Sequence, residues 1–258
     1  METRRDARIG RLVQALKRSD KLRLKEAAAL LGVSEMTVRR DLHDEHQPVL
    51  LLGGYVVLAP GSTTGSHYLL SDQKGRHVRQ KRQAARLAAE LVQAHQTLFF
   101  DCGTTTPFII EALPHDLPFT GICYSLNTFL ALSEKPACRV ILCGGEFQPG
   151  NAIFRPLNFR EILDNLCPDI AFLSAAGIHP QAGVTCFNLE ELPVKQWALE
   201  MAQQRVLVVD ESKFGKVRPA CMGPLSAFDM LISNAQPPEP LIDRARSLNI
   251  VLHHEQGP

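Results

Sequence analysis

Seven short apolar segments recur through the last two thirds of the chain, and this recurrence constrains the fold more than any other feature. Stretches with helical periodicity separate them. The segments cover residues 97–100, 119–124, 140–143, 170–174, 206–209, 230–233 and 250–252. Near-continuous apolar strands that alternate with helices are typical of a parallel sheet covered on both faces. The sequence therefore predicts an α/β domain with a mostly parallel sheet over residues 81–258.

Charge is distributed unevenly along the 258 residues, although the formal net charge is only +1. Residues 1–86 contain 17 basic and 9 acidic residues, whereas the remainder contains 11 basic and 18 acidic residues. A basic front and an acidic rear indicate two modules with different partners, and the front module suits a polyanion. The hydrophobic fraction of 45% excludes a disordered chain.

The sequence also excludes several classes of protein and of site. The charged N-terminus lacks the apolar segment of a signal peptide. The longest apolar run, residues 49–58, is about half the length of a membrane helix. Seven cysteines without C-x-x-C spacing argue against a disulfide framework or a zinc site. Neither G-x-G-x-x-G nor a Walker lysine is present, which disfavours a nucleotide cofactor. We expect a cytoplasmic protein without membrane, metal or cofactor.

The first 60 residues follow the pattern of a winged helix-turn-helix domain, with the motif itself at 25–44. Ala28, Gly32 and Val38 have the spacing this motif requires. A small residue lets the helices cross closely, and glycine adopts the left-handed turn between them. Ser34 is a suitable N-cap for the second helix. Two apolar runs around Gly-Gly at 53–54 predict the hairpin that forms the wing.

The second helix of the motif should read DNA. Such a helix places its N-terminal residues at base edges in the major groove, where arginine pairs with guanine or phosphate. The competing interpretation is an ordinary helical hairpin with a solvated basic face. The helix spacing, the basic bias and the wing together favour binding to double-stranded operator DNA. The residues expected to contact DNA are Ser34, Glu35, Met36, Thr37, Arg39 and Arg40.

Residues 61–80 are predicted to form a linker between the two modules, because they begin with a run of small, turn-forming residues. Basic residues from Lys74 to Arg86 have no acid among them. We expect this basic run to form the solvated face of a helix that starts near Lys81. A supplementary contact with DNA phosphate is the alternative.

Glycine-rich or polar turns follow the predicted strands, at the edge where open α/β sheets bind ligands. The turn Gly103–Thr106 offers backbone N–H groups and hydroxyls to an anion. A sugar phosphate fits, with its phosphate on this turn and a lysine nearby. The alternatives are a threonine turn that only caps a helix and a solvated surface lysine. The residues expected to bind this effector are Asp101, Gly103, Thr104, Thr105, Thr106, Ser125, Asn127, Gly144, Gly145, Gly177 and Lys213.

Seven motifs resemble the DeoR family of bacterial transcriptional regulators and together span nearly the whole chain. They are VSEMTVRRDL at 33–42, LGG at 52–54, KRQAARLAAEL at 81–91, FFDCGTTT at 99–106, SLNT at 125–128, CGGEF at 143–147 and VVDESKFG at 208–215. The resemblance implies a C-terminal sensor domain similar to ribose-5-phosphate isomerase. It also implies a repressor of deoxyribonucleoside and deoxyribose catabolic genes, with deoxyribose 5-phosphate as the inducer.

Two positions depart from the patterns of the family and of the isomerases. Leu52 stands where family members often carry arginine or histidine, which removes a phosphate contact from the wing. Residues 174–179 lack the Gly-Ala-Asp-Glu carboxylates of the isomerases, and proton transfer between carbons needs a positioned base. We therefore expect a site that binds a sugar phosphate without turning it over.

Two other functions stay open at this point: an isomerase-type enzyme with an accessory DNA-binding domain, and a structural adaptor with an empty α/β domain. The helix-turn-helix and the missing acids argue against the first, and the polar turns argue against the second. Because helix-turn-helix regulators bind paired half-sites, we expect a homo-oligomer, at least a dimer.

Overall fold

The computed structural model describes residues 4–16, 22–42, 49–52, 54–58, 77–158, 161 and 163–255. The chain divides into two compact units, Met1–His67 and Tyr68–Pro258. Most of the predicted linker, residues 61–76, lies outside the described residues. No helix in the described part of the chain is long and apolar enough to cross a membrane.

The described part of the first unit contains three helices and a small antiparallel sheet. Its elements are α1 (Arg4–Leu16), β1 (Leu22–Arg23), α2 (Leu24–Leu31), α3 (Glu35–Asp41), β2 (Val49–Leu52) and β3 (Tyr55–Leu58). The strands lie in the order β1-β3-β2, with every pair antiparallel. Helices followed by such a hairpin form a winged helix-turn-helix, which confirms the prediction.

The turn between α2 and α3 has the predicted chemistry. Gly32 adopts a left-handed conformation with φ of 68°, and it ends α2. The Ser34 hydroxyl accepts a hydrogen bond from the Thr37 N–H at 3.2 Å and so caps α3. Val38 is fully buried among the apolar residues of α1 and α2, including Leu12. These contacts fix the angle between the two helices of the motif.

Several basic residues of α1 interact with other parts of this unit. Arg8 pairs with the Asp41 carboxylate at 2.6 Å, and Arg5 donates to the Asp41 carbonyl at 2.8 Å. Arg11 donates to the Leu30 carbonyl at 2.7 Å. The Arg8 hydrogen bond holds the pKa of Asp41 below its ordinary value. These guanidinium groups therefore hold the ends of α2 and α3 against α1.

The second unit is built on a parallel sheet. The strands of this unit are β4 (Thr97–Phe100), β5 (Phe119–Cys123), β6 (Cys138–Leu142), β7 (Glu146–Gln148), β8 (Ile153–Arg155), β9 (Ile170–Leu173), β10 (Gly177–His179), β11 (Gly183–Cys186), β12 (Gln204–Val209), β13 (Ala220–Gly223), β14 (Met230–Ser233) and β15 (Val251–His254). Seven of them form one sheet in the order β15-β14-β12-β9-β4-β5-β6, and every neighbouring pair is parallel.

Helices cover both faces of this sheet. They are α4 (Val78–Ala89), α5 (Thr106–Ala112), α6 (Leu126–Ser133), α7 (Leu192–Met201) and α8 (Glu239–Ser247). Phe99 packs in one core with Tyr124 and Trp197, whereas its neighbour Phe100 packs with Phe172 in the other. Successive side chains of a strand point to opposite faces, so both faces of β4 are buried. This confirms the predicted α/β class.

Two smaller antiparallel sheets accompany the main one. Strands β7 and β8 form a hairpin, and β10, β11 and β13 form a three-stranded sheet in the order β10-β11-β13. Within the described residues all seven cysteines are free thiols, and Cys167 and Cys221 are exposed.

Lys81 corrects one expectation from the sequence. Arg79, Arg82 and Arg86 of α4 are exposed, as expected for a solvated basic face. Lys81 is buried, with 1% of its surface exposed, in a row with Ala84 and Ala88. The solvated-face interpretation is wrong for this residue, because it lies on the inner side of the helix.

Candidate functional site

Helix α3 exposes most of the side chains that the sequence assigns to DNA. Glu35, Met36, Arg39 and Arg40 are exposed, and Met36 has 76% of its surface accessible. Ser34 and Thr37 also bond to each other, with their hydroxyl oxygens 2.9 Å apart. Their hydroxyls therefore hold the helix start, while the four exposed side chains are free to meet a groove.

A narrow cleft lies where β4 and β9 end. We call it the threonine cleft. It has about 30 Å³ of free space. Its lining residues are Cys102, Gly103, Thr104, Thr105, Ser174, Ala175, Ala176, Cys186, Phe187, Glu191, Lys195 and Lys213. β4 and β9 are neighbouring parallel strands, so the turns after them meet at one edge of the sheet.

Asp101 lies beneath this cleft and has no exposed surface. Its carboxylate accepts hydrogen bonds from the Tyr124 hydroxyl at 2.7 Å and from Ser174, at 2.9 Å from the N–H and 2.6 Å from the hydroxyl. It also forms an ion pair with Lys195. Burial by itself raises the pKa of Asp101. The ion pair with Lys195 and the hydrogen bonds from Ser174 lower that pKa by a larger amount, so it lies below the ordinary value. Protein groups surround Asp101, so the structure does not place it in contact with an effector.

Lys195 and Glu191 also line the cleft, although the sequence reasoning assigned neither of them to the effector site. Burial lowers the pKa of Lys195, but the nearby Asp101 and Glu191 more than reverse this and hold it above its ordinary value. The Glu191 carboxylate is 3.5 Å from Lys195 and accepts bonds from the Asn151 and Asn188 amides at 3.1 and 2.7 Å. The available signal was a lysine in the apolar stripe of α7, beside Val194 and Ala198.

The three threonines after Gly103 have different roles. The Thr106 hydroxyl donates to the carbonyls of Asp101 and Gly103 at 2.7 and 2.8 Å, so it builds the turn. The hydroxyls of Thr104 and Thr105 bond to no residue that the structure describes, and both residues line the cleft. Thr104 and Thr105 are thus the ones available to a ligand.

Gly103 is required by packing. A Cβ built there would overlap the side chain of Ser174. Ser174 is the residue that bonds to Asp101 through both its N–H and its hydroxyl. The close approach of Gly103 therefore brings the threonine turn onto the end of β9.

Lys213 also lines the threonine cleft. It ends a short 3-10 helix, Glu211–Lys213, that follows β12, and its Nζ lies 3.7 Å from the Asp210 carboxylate. Burial lowers the pKa of Lys213, and Asp210 partly offsets this effect. The cleft wall thus carries a cation near a turn with hydroxyl donors.

Several expected effector residues lie away from the cleft. Ser125 is buried and caps α6 by accepting the Thr128 N–H at 3.3 Å. Gly144 and Gly145 are exposed between β6 and β7, and Gly145 approaches the Arg155 carbonyl in the hairpin. Their polar or glycine character serves the turn geometry of the strand ends.

Two further expected residues border the cleft without lining it. Asn127 lines a separate depression that also contains Gly103 and Thr104. Gly177 is buried in β10, where a Cβ would overlap the Lys216 carbonyl. The structure thus brings together Gly103, Thr104, Thr105 and Lys213. Within the described ranges no group of three or more histidine, cysteine, aspartate or glutamate residues could hold a metal ion.

Two known domain families match this chain. Residues 8–60 match the DeoR-like helix-turn-helix domain, and residues 76–235 match the DeoR C terminal sensor domain. The chain belongs to the DeoR family. Members of the DeoR family are transcriptional regulators and not enzymes. The family resemblance drawn from the sequence motifs is confirmed.

Relatives within the DeoR family extend over nearly the whole chain. The Deoxyribose operon repressor of Escherichia coli K12 is 66% identical over 252 residues, covering 98% of this chain and 99% of that protein. The Glycerol-3-phosphate regulon repressor of the same strain is 28% identical, covering 88% of this chain and 90% of its own. Among solved structures, ribose 5-phosphate isomerase A from Methanocaldococcus jannaschii is 19% identical to this chain. The match has a TM-score of 0.40 and covers 52% of this chain and 53% of that one.

Proposed function

We propose that this DeoR-family protein is a repressor of deoxyribonucleoside and deoxyribose catabolic genes. It binds operator DNA through its winged helix-turn-helix and leaves the operator when deoxyribose 5-phosphate binds the sensor unit. The 66% identity to the Deoxyribose operon repressor over 98% of the chain supports this proposal. We also propose a cytoplasmic location, since that is where its operator DNA would lie.

The DNA-binding half of the proposal depends on α3. Its exposed side chains include two adjacent arginines, Arg39 and Arg40, and arginine can donate two parallel hydrogen bonds to guanine. Met36 and Glu35 lie in the first turn, which is the part of a recognition helix that approaches base edges. The capped N-terminus and the buried Val38 anchor α3 in the unit, which reduces the order that has to be gained on binding.

The threonine cleft carries the effector half, since it combines anion-binding and hydroxyl-binding groups in one place. Thr104, Thr105 and Lys213 suit a phosphate, because hydroxyls donate and an ammonium supplies a compact positive charge. Glu191 lines the same cleft and can accept hydrogen bonds from sugar hydroxyls. A small molecule with a phosphate and several hydroxyls matches this set.

The same residues argue against turnover. Glu191 is the carboxylate that lines the cleft, and Lys195 and two asparagine amides bind its oxygens. Those contacts tie the carboxylate to the protein, so it is not positioned to abstract a proton from a carbon of the ligand. A binding site without a free base is what a sensor needs.

The free space of about 30 Å³ is smaller than a pentose phosphate needs, so the walls have to move apart when the effector enters. A ligand shifts a conformational equilibrium only by its differential affinity for the two states. An effector that binds the opened cleft preferentially is therefore able to shift the regulator away from its DNA-binding state.

We also propose that the regulator acts as a homo-oligomer, at least a dimer, because helix-turn-helix proteins read paired half-sites. Size-exclusion chromatography with light scattering measures the mass of the assembly. A particle with the mass of one 28.6 kDa chain at the concentrations that bind operator would contradict this part of the proposal.

An operator-release titration tests the proposed function. Full-length protein is bound to a fluorescent fragment from the control region of a deoxyribose operon, and anisotropy is followed as deoxyribose 5-phosphate is added. We expect release by the sugar phosphate, and none by deoxyribose or inorganic phosphate at equal concentration. Chromatography of the same mixture should recover the sugar phosphate unchanged. The proposal would be contradicted if no sugar phosphate released the operator, or if the homogeneous protein converted the sugar phosphate to another compound.

A further inference from the structure

A second concavity adjoins the threonine cleft and has a different character. We call it the cationic cleft. It has about 120 Å³ of free space, which is more than a single water molecule fills. It shares Ala176, Phe187 and Lys213 with the threonine cleft, so the two lie side by side. Its other lining residues are His77, Ser212, Lys216 and Arg218.

Positive charge in the cationic cleft has little compensation within the described part of the chain. None of the lining residues is acidic, and the nearest carboxylate of an ion pair is Asp210, 3.7 Å from Lys213. No described carboxylate forms a salt bridge with Lys216 or Arg218. Three cations therefore face one partly compensating acid.

Arg218 is held in place but has unused hydrogen-bonding capacity. Its guanidinium lies over the Phe187 ring, 5.0 Å from the centroid, and its backbone N–H donates to the Thr185 hydroxyl at 2.9 Å. The Nε atom is buried and has no hydrogen-bond partner among the described residues. A buried donor without an acceptor costs free energy that an incoming oxygen recovers.

The cations also affect one another. Burial lowers the pKa of Lys213 first, and the positive charges of Lys216 and Arg218 lower it further. Like charges gathered in a partly buried cleft repel, and an anion placed among them relieves the repulsion of each. The cleft is thus assembled at a cost that a bound anion offsets.

We propose that the cationic cleft binds a second phosphoryl group, in addition to the one held in the threonine cleft. That group is carried either by the effector, as in a pentose 1,5-bisphosphate, or by free inorganic phosphate. The inference rests on the proposed function in one respect, because Lys213 is common to both clefts. Arginine and lysine both bind phosphoryl oxygens through charge-assisted bonds, and Ser212 adds a hydroxyl donor.

Calorimetric titration of the full chain tests this subsite with four probes: deoxyribose 5-phosphate, deoxyribose 1,5-bisphosphate, ribulose 1,5-bisphosphate and inorganic phosphate. The variant is Lys216→Gln/Arg218→Gln, and Arg218→Lys is the conservative single change. The matched control is Arg86→Gln/Arg139→Gln, which removes two exposed positive charges elsewhere on the same unit. Thermal unfolding shows whether each variant remains folded.

We expect a bisphosphate, or deoxyribose 5-phosphate with inorganic phosphate added, to bind the parent at least about tenfold more tightly than deoxyribose 5-phosphate alone. Lys216→Gln/Arg218→Gln should abolish that gain, whereas Arg218→Lys and the control pair should retain most of it. A gain with the bisphosphates assigns the second group to the effector, and a gain with added phosphate assigns it to the free ion.

Three results would overturn the inference. The parent could bind all sugar phosphates equally, with no effect of inorganic phosphate. The double variant could keep the full gain. It could also lose affinity for deoxyribose 5-phosphate as strongly as for the bisphosphates, which would mean that the cationic cleft holds the only phosphate. Failure of the proposed function can be told apart from failure of this inference. In that case no sugar phosphate would release the operator, yet inorganic phosphate alone would still bind the parent and not the double variant.

Discussion

Lys195 forms an ion pair with Asp101, which lies 94 residues earlier in the chain, and both side chains are buried. The pair joins α7 to the turn that follows β4. Ser174, after β9, bonds to the same carboxylate. One buried carboxylate therefore holds together three segments that form the threonine cleft, so the shape of the site and the stability of the sensor unit depend on the same contacts.

Replacing Lys195 with methionine should destabilise the protein by about 3–5 kcal/mol, because it leaves Asp101 buried without its cation. The double change Asp101→Asn/Lys195→Met should cost less than the sum of the single changes, since it leaves no uncompensated charge. Urea unfolding followed by Trp197 fluorescence measures these free energies. Trp197 is buried on α7, close to the pair.

Arg205 and Asp229 provide the control for this experiment. They form an ion pair at 2.6 Å whose side chains retain about a third of their exposure. Water screens such a pair, so Arg205→Met should cost on the order of 1 kcal/mol or less. Equal losses for Lys195→Met and Arg205→Met would contradict the role given to the buried pair.

A Gly103→Ala change should weaken effector binding and destabilise the sensor unit, because its methyl group would overlap Ser174. Overpacking of this kind costs about 1–3 kcal/mol. Gly144 supplies the matched control: a Cβ there meets nothing within 4 Å, and the residue lies outside the cleft. Gly144→Ala should keep parent-like melting temperature and effector affinity. If Gly144→Ala bound the effector more weakly than the parent, Gly144 would belong to the effector site after all.

Much of the fold was predictable from sequence because local patterns specify it. The apolar runs at Thr97–Phe100 and Met230–Ser233 are strands with the predicted ends, since a strand buried on both faces is apolar throughout. The turn at Gly32 and the cap at Ser34 were predictable for a similar reason, as each depends on one residue type at one position.

The site was less predictable because its contacts join distant segments. Gly103 and Thr105, which line the cleft, could be proposed from the sequence because they lie in a turn after a predicted strand. Lys195 could not, because its partner Asp101 is brought to it only by the order of strands in the sheet. The same holds for Ser174, which no pattern distinguishes from an ordinary strand end. Asp101 was assigned to the effector because a buried ion pair cannot be recognised from residue type alone.

Arg39→Ala and Arg40→Ala should each weaken operator binding, since both side chains are exposed on α3. An arginine that reads a base contributes about 1–3 kcal/mol and its loss relaxes specificity at one position, whereas a phosphate contact affects all sequences and reduces the salt dependence. Fluorescence anisotropy at several salt concentrations separates these cases. Arg86→Ala, on the sensor unit, is the control. Parent-like binding by both α3 variants would mean that α3 is not the recognition helix.

Acid should remove the contribution of the Arg8–Asp41 pair to stability. The pair lowers the pKa of Asp41 below its ordinary value of 3.8, so its stabilisation is full above that pH and is lost as pH falls through the folded-state pKa. Arg8→Met lacks the pair at every pH. The difference in melting temperature between parent and Arg8→Met should therefore be largest near neutrality and shrink below about pH 3.8. A difference that stays constant from pH 7 to pH 3 would contradict this assignment.

Lys213→Met should give a repressor that binds operator but no longer responds to deoxyribose 5-phosphate. Lys213 lines the threonine cleft together with Thr104 and Thr105, and its ammonium supplies a positive charge to that cleft. Losing one charge-assisted hydrogen bond to a phosphate should reduce effector affinity about tenfold or more. Thr105→Ala should show the same pattern to a smaller degree, because it removes a neutral donor from the same wall.

Operator release against deoxyribose 5-phosphate concentration measures this effect for each variant. Glu211→Gln is the control, since Glu211 is exposed two residues away from Lys213 and does not line the cleft. Both variants should bind the operator as tightly as the parent in the absence of ligand. Only Lys213→Met should need a higher concentration of deoxyribose 5-phosphate for release, whereas Glu211→Gln should release like the parent. Parent-like release would move Lys213 out of the effector site. If Lys213→Met bound the operator weakly even without ligand, Lys213 would have a structural role, because the loss of binding would not depend on the effector.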